Sequence, residues 1–434
     1  MKPLFALALP TFGQLIAEPV FVLVDTAIVG HVSTSALAGL SLGSTVILTA
    51  VGLCVFLAYA TTSQVAHLLG AGRRREGLQA GMDGLWLAAA IGAGLAAALF
   101  ALAEPLCWLL GGRGADLQQA VVYARAAALG VPGMLLVYAA NGVFRGLQKV
   151  RITLAVAVAG AALNTVFDVA FVIGCGWGIL GSGAATGIAQ WFMGLALVVP
   201  AVRWARAGGA SARPRLAGIA RAGGDGLPLF LRTLALRAGM VATVMAAASM
   251  GTDVLAGYQV VNATWNFALN ILDAIAIAGQ TLVGAQLGAG NFAQARCLTR
   301  GAARIGLGMG VVVGAAFALA GLVAPGAFSP SAQVQQLASA GMVAVGAGLP
   351  VQGWMWALDG ILIGAGDFRY LARACAAASG AHIAALLVLA VLVAPQLSSD
   401  LARTVALWVA FDVVLMGGRA LANALRVRTD AWMR

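Results

Sequence analysis

The chain has 434 residues, of which 61% are hydrophobic and 9% charged, with a mean hydropathy of +0.94. A water-soluble domain of this size could not give such a chain a polar exterior, so the expected solvent is a bilayer. A formal charge of +11 would suggest nucleic acid in a soluble protein. Here the arginines gather in short loops between apolar stretches, which reads as membrane topology, and no nucleic-acid partner is expected.

About 20 residues at a rise of about 1.5 Å cross a hydrocarbon core of about 30 Å. On that measure the sequence predicts twelve spans, near 4–30, 36–68, 80–103, 117–143, 151–173, 182–204, 222–250, 254–286, 298–323, 333–361, 369–394 and 400–425. Glycine (57 residues) and alanine are abundant throughout, which lets helix backbones approach closely where lipid supplies no hydrophobic drive. Met1-Lys2-Pro3 runs straight into an apolar helix that carries a carboxylate, so no cleavable signal peptide is expected. The five cysteines are scattered without a CxxC, which suggests neither a metal site nor a disulfide framework.

The loops fix the orientation. Arg73-Arg74-Arg75 follow the second span, and Arg145, Lys149 and Arg151 the fourth. Arg203, Arg206, Arg213, Arg215 and Arg221 follow the sixth, Arg296 and Arg300 the eighth, Arg369 and Arg373 the tenth, and Arg426 and Arg428 the twelfth. The alternate loops hold little beyond Arg113 and Arg403. Even-numbered exits and both termini are therefore expected in the cytoplasm of a bacterium, with the chain in its inner membrane.

The chain also repeats itself. Leu9-Pro10 recurs as Leu227-Pro228, an offset of 218 residues (228 − 10). In the same register Leu37-Ala38-Gly39 falls on Leu255-Ala256-Gly257, Gly70-Ala71-Gly72 on Gly288-Ala289-Gly290, Pro132 on Pro350, and Gly142 and Gly146 on Gly360 and Gly364. Six spans per copy is an even number, so the copies share one orientation. The expected fold is an all-α polytopic membrane protein of twelve helices in two parallel six-helix repeats around a central cavity. Its expected parts are an N-terminal lobe over 1–204, an Arg/Gly/Ala-rich linker over 205–221 and a C-terminal lobe over 222–434. Such halves suit transport by alternating access.

The residues that cost most in lipid are the best guides to function. Glu18, Asp25, Asp168, Asp273, Asp359 and Asp412 fall well inside spans. At about 2.5–3.5 kcal/mol each, the six would cost roughly 15–20 kcal/mol if ionised and unpartnered, more than most proteins' margin of stability. Most must be protonated, paired or facing water, and such a group binds protons or cations. Asp25 lies in the outer half of the first span. Asn164 and Asp168 stand four residues apart on one face of the fifth, with Thr186 and Tyr123 at similar depth. A coupled ion site and simple helix-to-helix hydrogen bonding are both open for these polar groups, and the two acids together favour the ion site. Pro10, fifteen residues before Asp25, is either an ordinary membrane proline or the bending point of the helix.

In the second half Asn262, Asn266, Asn270 and Asp273 trace one helical stripe. Trp265 and Tyr258 lie near it, and Trp354, Trp356 and Asp359 sit in the tenth span. The tryptophans either pack and anchor or stack on a flat or cationic ligand. Asp273 corresponds to Val55 in the first copy, so the halves have diverged in chemistry.

Leu9-Pro10, the run Val24-Asp25-Thr26-Ala27-Ile28-Val29-Gly30-His31, the Gly70-Ala71-Gly72 loop, Asn164 with Asp168, and Asp359-Gly360 leading to Gly364 and Asp367-Phe368 resemble the multidrug and toxic-compound extrusion (MATE) family, in its DinF-like branch. The resemblance covers all twelve spans. It implies that Asp25 is the first-helix acid and Pro10 the bending proline. It further implies that Asn164, Asp168 and Thr186 form the coupling network, and that Tyr123 and Asn141 are polar positions of the first-lobe cavity. Some relatives carry glutamine at the position of Glu18. The expected substrate cavity is lined by Glu18, Asn141, Asn262, Asn266, Asn270, Asp273 and Asp359, the second-lobe members being inferred from the residues and not from the resemblance.

The expected function is a secondary antiporter that exports drug-like organic solutes against H⁺, with no cofactor, or against Na⁺ held at Asp25 and Asp168. Its expected partners are a small organic solute and membrane lipid, and a monomer is expected. A lipid-linked precursor flippase is the alternative, kept open by Arg125, Arg232 and Arg237. An enzyme is not expected, since His31, His67 and His382 are scattered and no nucleophile or metal constellation accompanies them. No GxxxxGK[ST] loop is present to bind a driving nucleotide.

Overall fold

Lipid offers backbone amides no partners, so an apolar chain of this length must satisfy them within helices. The computed structural model describes residues 2–30, 33–327 and 329–433, and among these there is no strand. The helices, in order, are α1 (Lys2–Gly30), α2 (Thr34–Leu53), α3 (Phe56–Gly70), α4 (Arg74–Leu109), α5 (Gly114–Ala128), α6 (Val131–Gly146), α7 (Val150–Asp168) and α8 (Gly178–Ala207). They continue with α9 (Leu216–Met250), α10 (Thr252–Gly288), α11 (Phe292–Val323), α12 (Ala332–Gly364), α13 (Phe368–Val388), α14 (Asp400–Ala410) and α15 (Gly417–Arg428). Side-chain oxygens of Ser33, Asn291, Ser331 and Ser399 cap the helices that follow them.

The twelve expected spans are all helical, and three are broken where the sequence reading had them continuous. The second is interrupted at Cys54 and Val55, whose amides reach back three residues to Val51 and Gly52. The fourth bends by 49° between α5 and α6, where Pro132 removes a backbone donor. In the twelfth, α14 and α15 are joined by a π-helical turn, Phe411–Met416. A second π segment, Val169–Gly174, continues α7 directly after Asp168, and a third, Leu389–Val393, continues α13. Among the described residues ten helical stretches are long and apolar enough to cross a membrane, and the bent α5–α6 pair makes an eleventh. α1, at 29 residues, completes the set.

The chain forms two compact units, residues 9–230 and residues 231–434 with 1–8. Each repeats the other's close contacts in the sequence register. In the first unit a side chain at Gly92 would stand 2.8 Å from the Cα of Pro132, and in the second one at Gly310 would stand 2.8 Å from the Cα of Pro350. Gly39 faces Gln119 and Ala120, and Gly257 faces Leu337 and Ala338. Gly142 presses on the Ala58 carbonyl and Gly360 on the Ala276 carbonyl. Gly39 and Gly142, with their counterparts Gly257 and Gly360, are therefore helix crossings, where a Cβ would crowd the neighbouring helix.

The stretch expected as a linker is docked on the first unit. Gln79, Asp83 and Trp86 share one face of α4. The Gln79 amide accepts from the Ser211 backbone N–H at 2.8 Å and donates to its carbonyl at 3.2 Å. Trp86 Nε1 donates to the Ala212 carbonyl at 2.9 Å. Arg215 forks onto buried Asp83 at 2.5 and 3.2 Å, and that bond pushes the guanidinium above its ordinary value. Asp83→Ala removes the fork, and limited trypsinolysis is expected to cut after Arg215 several-fold faster than in wild type; equal rates would show that the dock depends on Gln79 and Trp86 alone.

Candidate ion-coupling site

In the first unit, α1 runs as one helix through Pro10 and Pro19 and delivers Asp25 to α7 and α8. Four residues separate Asn164 from Asp168 on α7, so both face Asp25. Asn164 Nδ2 donates to Asp25 Oδ1 at 2.7 Å and to Asp168 Oδ2 at 2.9 Å. One amide thus uses both of its hydrogens to hold two carboxyls together. Thr186 Oγ1 reaches the second oxygen of Asp25 at 3.5 Å. Asn164 and Asp168 are wholly buried, and Asp25, Thr186 and Tyr123 nearly so.

The cluster is not closed. Asp168 Oδ1 and Asn164 Oδ1 are buried without a donor. Two carboxyls sharing one neutral amide have no guanidinium or ammonium among them, so ionising both is opposed by repulsion and by desolvation. The arrangement suits a proton or a small monovalent cation ligated by neutral and acidic oxygens. Ser182, also wholly buried, lies beside Asp168; as a lone serine in a glycine-rich helix start it gave no signal in the sequence.

Asp25 also faces a cavity of about 120 Å³, whose polar lining is Gln14, Asp25, Tyr123, Asn141, Thr186 and Gln190 among others. That volume holds several waters and is smaller than a drug-sized ligand needs. Asn164 and Asp168 do not line it. Asp25 is therefore the step between the cavity and the buried pair. Asn141, predicted as a cavity residue, lines it, and its Oδ1 is buried with no donor among the described residues. Glu18 lies on α1, but its side chain is outside the described residues.

In the second unit the predicted residues divide. Asn262, Asn266 and Asn270 are partly or fully exposed on α10 and bond along their own helix, Asn266 to the Asn262 carbonyl at 2.7 Å and Asn270 to the Asn266 carbonyl at 3.4 Å. Asp273 accepts from Trp356 Nε1 at 2.6 Å. Asp359 is buried in a polar cluster, held by Arg232, by Arg419 Nη2 at 2.9 Å and by Asn423 Nδ2 at 2.9 Å. Arg419 in turn lies 4.8 Å from the centre of the Trp356 ring. Asp359 thus carries two cations against its one charge, and it does not join the asparagine stripe. Trp356 acts here as a hydrogen-bond donor as well as a packing group. Arg419 and Asn423 were absent from the sequence reading, although an arginine well inside the last span is as costly a signal as an aspartate.

The MatE family model matches residues 10–170 and 228–388, one copy on each repeat. The chain belongs to the MATE family. It is 29% identical to DNA damage-inducible protein F of Escherichia coli over 432 residues, covering 98% of this chain and 92% of that one. It is also 29% identical to Protein DETOXIFICATION 44, chloroplastic, of Arabidopsis thaliana over 85% of this chain and 73% of that one. A crystal structure of the Vibrio cholerae MATE transporter VcmN in the bent form matches the fold with a TM-score of 0.87 at 21% identity, covering all of this chain and 98% of that one. This MATE transporter is of the DinF-like type and is an integral membrane protein.

Proposed function

We propose that this MATE transporter is a secondary antiporter that exports drug-like organic solutes by alternating access, driven by protons entering at Asp25 and Asp168. The observation that carries the reading is the Asn164 amide, which binds two buried carboxyls, one of which, Asp25, lines a cavity. Protonation of Asp25 removes a charge and turns an acceptor into a donor, so its bonds to Asn164 and Thr186 must rearrange. Pro10, lower on the same helix, supplies a point without a backbone donor at which α1 can bend. The donor-free oxygens of Asp168 and Asn164 also favour a second reading, in which sodium bridges the acids.

Ion dependence separates the two. Purified protein in liposomes is expected to move an organic-cation dye under an imposed pH gradient with Na⁺ absent. A strict requirement for Na⁺ would replace the proton with sodium, and transport indifferent to both gradients would end the antiport reading. The arginine loops further support a reading in which both termini lie on the cytoplasmic side of a bacterial inner membrane. On a cysteine-free background, Arg74→Cys and Arg213→Cys are expected to label from the cytoplasmic side, and Ala115→Cys and Ser331→Cys from outside. Labelling of Arg74→Cys and Ser331→Cys from one side would overturn that topology.

A further inference from the structure

Asp412, half-buried in the twelfth span, differs from the other aspartates of the spans. Asp25 and Asp168 share Asn164, Asp359 has two guanidiniums, and Asp273 takes the Trp356 indole. Among the described residues Asp412 has a single donor, Gln352 Nε2 at 2.7 Å, and no cation.

The geometry around it is built. Gln352 is wholly buried, and its oxygen accepts from Trp265 Nε1 at 2.9 Å. An indole only donates, so that bond fixes the amide with its nitrogen toward Asp412. Opposite, Gly348 leaves a notch in α12 that the carboxyl fills: a side chain there would stand 2.5–2.7 Å from the Asp412 carboxyl atoms. Asp412 itself sits in the π turn between α14 and α15, an irregularity that often marks functional positions.

Several charged and titratable groups of the packed helices are engaged elsewhere. His382 on α13 meets Thr243 at 2.9 Å, and Arg419 on α15 and Asp359 on α12 hold each other. On α10, Tyr258 stacks on Trp408 and Asp273 meets Trp356. On α14, Arg403 pairs with Asp400. A carboxylate offers about four acceptor sites, and in a lipid-embedded unit one neutral donor does not solvate the charge.

We propose that the Asp412 carboxyl is a second proton-binding site of this transporter, built in the 231–434 unit by Gln352, Trp265 and the notch at Gly348. It deepens the antiport reading by supplying a second exchangeable proton. Its occupancy is measured without transport, so the two can fail separately.

Infrared spectra of the purified protein near neutral pH test it. The protonated-carboxyl C=O band is expected to lose intensity in Asp412→Asn by a step distinct from, and additive with, any loss in Asp25→Asn. A band in Asp412→Asn identical to wild type would overturn the site. If Asp412→Asn does not accumulate, Gln352→Leu decides: removing the one donor found among the described residues moves one C=O component to higher frequency, and an unmoved band overturns the proposal equally.

Discussion

Asp25→Asn is expected to fold and accumulate like the wild type and to lose pH-driven export. Asparagine keeps the size of the side chain and an oxygen for the Asn164 amide, so the 2.7 Å bond that joins α1 to α7 can persist. What it loses is the exchangeable proton. Couplings between sites commonly amount to about 1–3 kcal/mol, or about 5- to 150-fold, so the initial rate under an imposed gradient should fall at least about tenfold, toward that of empty vesicles. Binding of cargo at equilibrium should fall much less. Wild-type export by Asp25→Asn in the same vesicles would remove Asp25 from the coupling, and loss of folded protein would make it a packing residue.

The largest effect on stability is expected at Asp359. Its carboxylate is buried with Arg232 and Arg419 on one oxygen and Asn423 donating to the other. Asp359→Ala leaves two guanidiniums facing one another in the interior of the unit. Removing one partner of a buried ion pair costs about 3–5 kcal/mol, and at about 2–4 °C per kcal/mol the unfolding temperature in detergent should drop by roughly 10 °C. The second-site change Arg419→Met removes one of the stranded charges and should restore part of the loss. A thermal shift under about 2 °C for Asp359→Ala would show that water already reaches the cluster.

The architecture was legible in the sequence because lipid imposes length and polarity on every span. The offset of the repeat was legible because crossings such as Gly142 on the Ala58 carbonyl and Gly360 on the Ala276 carbonyl admit no side chain. Asp25, Asn164, Asp168 and Thr186 stood out by their expense in lipid and by the spacing of four along α7, and the structure brings them together. The breaks at Cys54 and the π turns were not legible, since a π turn disturbs the backbone without changing residue chemistry. The partners of Asp359 lie 60 to 127 residues away in sequence, where no local spacing reports them. Reading carboxylates alone also passed over Arg419. The stripe from Asn262 to Asn270 was legible as a face, but its spacing does not tell what that face meets, nor that Asp273 would take the Trp356 indole.

Cargo-evoked proton movement tests the central claim most directly. Wild-type protein is reconstituted in Na⁺-free liposomes loaded with a pH-sensitive dye, and an organic-cation substrate is added without any imposed gradient. The account predicts an immediate proton flux opposite to the cargo, present in wild type and absent in Asp25→Asn. Cargo entry without proton movement in wild type would contradict it.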